Sequence, residues 1–183
     1  MGVSALLIQR PLPAEMLDLL GTERSAQLER ALLQRGLEWG RAFAPRHTYH
    51  ASCEAAGELA AAAARAFECS SGGPLLVAST ACASLTWEHS AAALSDAAHG
   101  LDLSIGPASD GGWYLLALGQ PNPDVLAAAG VELGQGLLAF HQAGLEIGLL
   151  RSERELSSVA AARAISCDPI APPEIREILR VRR

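Results

Sequence analysis

The chain contains no lysine: all 14 of its basic residues are arginine, set against 20 acidic residues for a formal net charge of −6. The arginines are scattered apart from Arg176, Arg180, Arg182 and Arg183, a short basic tail that reads as a solvated helix end. A basic stripe is therefore missing, which argues against DNA or RNA as the main partner. Long apolar runs are missing too. None reaches the roughly 20 residues that span a bilayer, so no membrane partner is expected. The apolar start over 1–8 lacks the basic flank and cleavage site of a signal peptide. The four cysteines, Cys53, Cys69, Cys82 and Cys167, are not paired at metal-ligand spacing, and reduced thiols in a cytoplasmic protein are the default reading. Aromatics make up only 4% of residues, so the core must come from Ala, Leu, Val and Ile.

What is present suits a single domain. The 183 residues are half hydrophobic, enough for a sizeable core. Apolar runs predict strands over 5–9, 46–51, 75–79, 101–105, 113–118 and 145–150. Helical spacing predicts helices over 22–42, 54–67, 86–98, 124–129, 134–143, 152–164 and 174–180, with breaks at 70–74 and 121–123. Strands alternating with helices predict a three-layer α/β/α sandwich around a mostly parallel sheet. Ligands of such sheets sit beyond the carboxyl ends of the strands, here after Gln9, Ser79, Ile105 and Leu150.

The most informative stretch is Gly106-Pro107-Ala108-Ser109-Asp110-Gly111-Gly112-Trp113-Tyr114-Leu115-Leu116. It joins two apolar strands through a proline, one acid and two adjacent glycines. Adjacent glycines permit positive φ and close approach of a ligand to the backbone. A lone carboxylate beside such backbone is a ligand-site candidate, while on local grounds Asp-Gly is more commonly a turn.

This string resembles the G-P-A-x-D-G-G-Y-Y-L segment of a bacterial glycosyltransferase-like family related to molybdenum-cofactor guanylyltransferases, one branch of which is named for arsenosugar biosynthesis. The resemblance runs from about residue 5 to about 164. It implies the nucleotide-diphospho-sugar transferase (GT-A-like, Rossmann-like) fold, with the domain over 1–164 and a C-terminal extension over 165–183 whose short helix packs on the same domain. It also implies a nucleotide or nucleotide-sugar ligand, with Asp110 as the candidate catalytic residue and Gly111, Gly112, Trp113, Ser79, Thr80 and Arg10 as candidate ligand-binding residues.

The chain departs from the family where charge matters. The family's P-x-P-G appears as Pro11-Leu12-Pro13-Ala14, and its phosphate-pairing K-T-R-L as Leu17-Asp18-Leu19-Leu20, leaving Arg10 as the nearby cation. The family's G-S-D-C-P-x-L implies an aspartate ligand for Mg²⁺ or Mn²⁺; Ala81 stands there, beside Ser79, Thr80 and Cys82. The D-V-D-T-x-x-D-L segment implies a second acidic ligand, and Arg151 stands there. The rest of that frame, Ser152 and Glu155, reads as a helix cap with its partner three residues on. The family's D-L-G-x-R falls on Glu58-Leu59-Ala60-Ala61-Ala62. The resemblance implies Mg²⁺ or Mn²⁺ as cofactor; with the acids and cations at those positions replaced, the cofactor stays open and Mg²⁺-assisted transfer is expected to be absent or strongly altered.

Cys82 is expected to pack as a small hydrophobe rather than act as a nucleophile. His47 and His50, three apart on a strand, face opposite sides. His89, His99 and His141 read as surface or packing residues. Trp113 and Tyr114 alternate, which puts one in the core and one toward a cleft. Asp110 has no evident second carboxylate. Two functions stay open: a nucleotide-sugar-dependent or nucleotidyl transferase with altered metal chemistry, and a non-catalytic ligand- or protein-binding descendant of that fold. The C-terminal extension could cover an edge strand or join a second subunit as a homo-oligomer.

Overall fold

The computed structural model describes residues 2–53, 56–69, 73–120, 122, 125, 128 and 133–180. In chain order these form β1 (Ser4–Gln9), α1 (Ala14–Phe43), β2 (Thr48–Ser52), α2 (Ala56–Glu68), β3 (Leu75–Ser79), α3 (Trp87–Ala98), β4 (Leu103–Pro107) and β5 (Trp113–Leu118), then α4 (Leu133–Gln142), β6 (Ile147–Leu149), α5 (Val159–Cys167) and α6 (Pro173–Leu179). The expectations at 121–123 and 124–129 lie largely outside the described residues.

One six-stranded sheet runs in the order β2-β1-β3-β5-β4-β6. β1 pairs parallel with β2 and β3, and β4 parallel with β6, but β5 lies antiparallel between β3 and β4. The sheet is thus mixed, with β5 alone reversed. The cause is local: β4 and β5 are joined by the short 108–112 connection, which can only return the chain antiparallel, whereas parallel neighbours need a crossover of a dozen residues or more.

Side chains of β1 alternate between the two helical layers. Leu6 and Ile8 join α2 residues Leu59, Ala62, Ala63 and Phe67 on one face, while Ala5 and Leu7 join Trp39 of α1 and Ala93 of α3 on the other. Trp113 and Tyr114 divide in the same way, and both are buried rather than one facing a cleft. No described helix is long and apolar enough to cross a membrane.

Two elements differ from expectation, and a third, the C-terminal helix, lies where it was expected. α1 starts before Thr22: residues 14–20 form a first helical segment, turned at Gly21 (φ 72°) into the long amphipathic part. Only glycine adopts that φ cheaply, and the bend lets Met16 and Leu20 reach the same apolar cluster as Leu28 and Leu32. The helix expected over 152–164 begins only at Val159, where the Ser158 hydroxyl accepts from Ala161 N at 3.1 Å. Ser152 is not its cap. Residues 153–156 bond instead to the ends of two strands: Glu153 N–H donates to Pro107 O (3.0 Å), Ser109 N–H to Glu153 O (2.8 Å), and Leu156 N–H to Ala81 O (3.1 Å). Those partners satisfy the backbone groups that a helix would have paired internally. Finally, α6 buries Ile175, Ile178 and Leu179 against α1 and α5. The Arg24 guanidinium donates to the carbonyls of Glu177, Ile178 and Arg180, so a cation of α1 caps the carboxyl end of α6.

Candidate functional site

A cleft of about 210 Å³ opens beyond the carboxyl ends of β1 and β3, where the strand-end rule places ligands. Its wall includes Arg10, Pro11 and Leu12 after β1, Thr80 and Ala81 after β3, Asp110 and Gly112 from the β4–β5 connection, and Glu155, Leu156 and Ser157 from the extended segment. Of the residues singled out from the sequence, Arg10, Thr80, Asp110 and Gly112 meet here. Ser79, Gly111 and Trp113 do not line the cleft.

The three outsiders have other work. Ser79 is buried beneath the cleft; its hydroxyl hydrogen-bonds the Glu155 carboxyl and accepts from Ala81 N at 3.3 Å. Trp113 is a buried core residue whose ring carries the Arg10 guanidinium at 5.0 Å, a cation–π contact that aims the arginine. Gly111 sits at the turn with φ 97°, conformationally a glycine position. Ala108 N–H donates to Gly112 O (2.9 Å), Gly111 N–H to Ala108 O (3.1 Å) and, more weakly, Gly112 N–H to Asp110 Oδ1 (3.4 Å). The turn and the ligand-site readings of this string describe the same object: a tight turn that holds Asp110 at the cleft.

Gly106 has a different constraint. A Cβ there would stand 2.5 Å from Cζ of Tyr114, whose ring lies across it. The Tyr114 hydroxyl donates to Arg151 O at 3.1 Å, tying the hairpin to the chain just before the extended segment.

Glu155 is the residue the sequence reading missed as part of the site. It retains only 4% of its surface, and its Oε1 has no hydrogen-bond partner among the described residues. Burial pushes its carboxyl up to about 7, with Ser79 and Arg10 opposing and the Asp110 charge adding to the rise. An ideal Cβ on Gly112 would lie 3.7 Å from Asp110 Oδ1 and 3.8 Å from Glu155 Oε2, so both carboxylates face one spot. Asp110 therefore does have a second carboxylate beside it, contrary to expectation. The signal was present as an acid at the end of the Ser152–Leu156 frame, but it also fitted a helix cap, and the nearer explanation hid it.

Two residues away Glu153 turns into a different environment. Its Oε2 accepts from the Ser84 hydroxyl (2.7 Å), and its Oε1 meets Arg151 Nε (2.7 Å) and His89 Nε2 (3.0 Å). His89 Nδ1 accepts from Thr86 N–H at 3.0 Å, and its Nε2 stands 3.0 Å from both Glu153 Oε1 and Arg151 Nε. Burial raises the Glu153 carboxyl, but the bonds from Ser84 and His89 and the Arg151 charge outweigh it and hold it below the ordinary range. His89, expected at a surface or in simple packing, is a buried member of this network.

The positions at which the resemblance implies a metal do not fit one. Ala81 offers a methyl group, and Arg151 brings a cation already paired with Glu153. Among the described residues no group of three His, Cys, Asp or Glu side chains converges. Cys82 is buried with Ala78 and Tyr114 in the core, and burial pushes its thiol up to about 12.

The chain matches the crystal structure of a candidate nucleotide-diphospho-sugar transferase from Desulfovibrio desulfuricans G20 with a TM-score of 0.74 and 19% identity, over 98% of this chain and 95% of that one. Identity at that level speaks for the fold alone. The chain belongs to the DUF2064 family, described as "Uncharacterized protein conserved in bacteria", which matches residues 22–134. No curated protein sequence matches it.

Proposed function

We propose that the cleft binds a nucleotide or nucleotide-diphospho-sugar, and that the chain is a transferase-like protein whose ligand chemistry rests on Asp110, Glu155 and Arg10 instead of positions 81 and 151. The observation that carries this reading is the convergence of those three side chains in the one cleft beyond β1 and β3. Arg10 is the donor for an anionic group, and the Asp110 carboxylate is the acceptor for ligand hydroxyls. The finer kinship, with molybdenum-cofactor guanylyltransferases and the arsenosugar-named branch, belongs to this proposal and rests on the 106–116 string.

A second reading, binding without turnover, is favoured by Ala81 and by the engagement of Arg151 with Glu153 and His89. Calorimetric titration of the full chain with UDP, GDP, CTP and GTP, with and without Mg²⁺, tests the shared part. Binding of any one of them supports the cleft assignment, and no binding of any removes both readings. Consumption of a nucleotide-sugar built on the nucleotide that binds then separates transferase from non-catalytic binder.

A further inference from the structure

The cleft has a single cation to offer. Arg10 is the one basic residue among the described residues lining it, while Glu29, Asp110 and Glu155 are acidic. Arg10 lies over the Trp113 ring, and its charge also acts on the Glu155 carboxyl, so it is already partly offset. Arginines of the surrounding elements are engaged elsewhere. Arg151 is paired with Glu153, Arg35 with Glu174, and Arg154 lines a separate depression with Ser84 and Asp168. One guanidinium matches one phosphoryl group in a two-pronged hydrogen bond. A second phosphate would meet carboxylates instead, and like charges at short range oppose each other strongly where water is partly excluded.

Size and lining point the same way. The cleft holds about 210 Å³, below the roughly 300–1,000 Å³ of pockets that enclose drug-sized ligands. Much of its wall is apolar, from Pro11, Leu12, Pro13, Leu32, Ala81 and Leu156, a surface that suits the flat body of a base. We infer that the cleft takes a nucleoside bearing one phosphoryl group, with the phosphoryl at Arg10 and the ribose hydroxyls at Asp110, and that it selects against a second phosphate. This narrows the nucleotide reading above and rests on it. The selection is a negative one: Glu29 and Asp110 reject the larger anion at a place where no additional cation rewards it.

Calorimetric titration of the full chain with uridine, cytidine, guanosine and adenosine, their 5′-monophosphates and their 5′-diphosphates tests it, in buffer free of divalent cations and again with Mg²⁺. For the base that binds, the monophosphate should bind about tenfold more tightly than both the nucleoside and the diphosphate. R10Q should bring the monophosphate down to the affinity of the nucleoside, and R10K should recover part of the difference. Arg10 is exposed, so this loss with an unchanged thermal transition cannot be attributed to unfolding. E29Q should raise the affinity of the diphosphate more than that of the monophosphate, by about threefold. A diphosphate that binds as tightly as its monophosphate in either buffer overturns the inference and leaves the nucleotide reading standing. A monophosphate whose advantage survives R10Q overturns the placement at Arg10, and the inference with it. No binding of any of these compounds removes the nucleotide reading itself.

Discussion

Glu153 and Glu155 stand two residues apart on one extended segment and live opposite electrostatic lives. Glu153 has Ser84, His89 and Arg151 as partners, and they hold its carboxyl below the ordinary range. Glu155 has one hydroxyl beneath it, an unpartnered oxygen and a second acid nearby, and its carboxyl is pushed up to about 7. The first fastens the segment to α3 and to the loop before it. The second borders the cleft at a cost to stability. A buried acid with one oxygen left unpartnered marks a candidate ligand site.

Removing the fastened acid should have the largest effect on stability. Glu153→Ala leaves Arg151 and the buried His89 without their carboxylate; a loss of about 3 kcal/mol is expected, read as a lower midpoint in urea unfolding. Next is the support behind the same segment. Gly106→Ala places a methyl group into the Tyr114 ring and disturbs the hydroxyl that bonds Arg151 O; about 2 kcal/mol is expected, again from urea midpoints.

The two acids should also titrate with opposite signs. Glu155 keeps its proton in the folded chain up to about 7, whereas an unfolded Glu loses it near about 4.3. Between those values the folded state binds more protons, so its contribution to stability is full below the lower pH, declines through the window and stays low above it. Glu155→Gln should therefore stabilise the protein at pH 8, on the order of 1–2 kcal/mol, and remove that decline. Glu153, held low, contributes stability that is present above about pH 4.3 and is lost as pH falls through its folded pKa. Stability measured from about pH 2 to 8 for each Gln variant separates the two; matching profiles would end the contrast drawn between them.

Asp110→Asn is the smallest perturbation of the fold. The residue is exposed, so a stability change within about 0.5 kcal/mol is expected, together with loss of nucleotide affinity by titration. Unchanged affinity would leave the cleft without its proposed anchor.

Much of this was legible in the sequence. The strands at 5–9, 75–79 and 113–118 show as uninterrupted apolar runs because both faces of the sheet are covered. Asp110 and Gly111 were visible because turn chemistry is local: a positive φ and an Asx contact depend on residues within two positions. Glu155 was not visible as a site residue. Whether Ser152 caps a helix or residues 153–156 run extended depends on Pro107 O and Ala81 O, which are distant in the chain and compete for the same backbone groups. The first segment of α1 was hidden for a related reason: Met16 and Leu20 are helical because a cluster built with α5 and α6 buries them.

By itself, then, the sequence determined the alternation of strands and helices, the turn that carries Asp110, and the presence of a methyl group at Ala81 and a cation at Arg151. These depend on side-chain period, on φ and on the chemical identity of single residues. Tertiary structure alone decided that β5 runs backward, that Trp113 is buried under Arg10 instead of facing the cleft, and that Glu153 is satisfied while Glu155 is not. Each of those outcomes is set by which distant group arrives first at a hydrogen bond or an apolar face, and no local pattern records it.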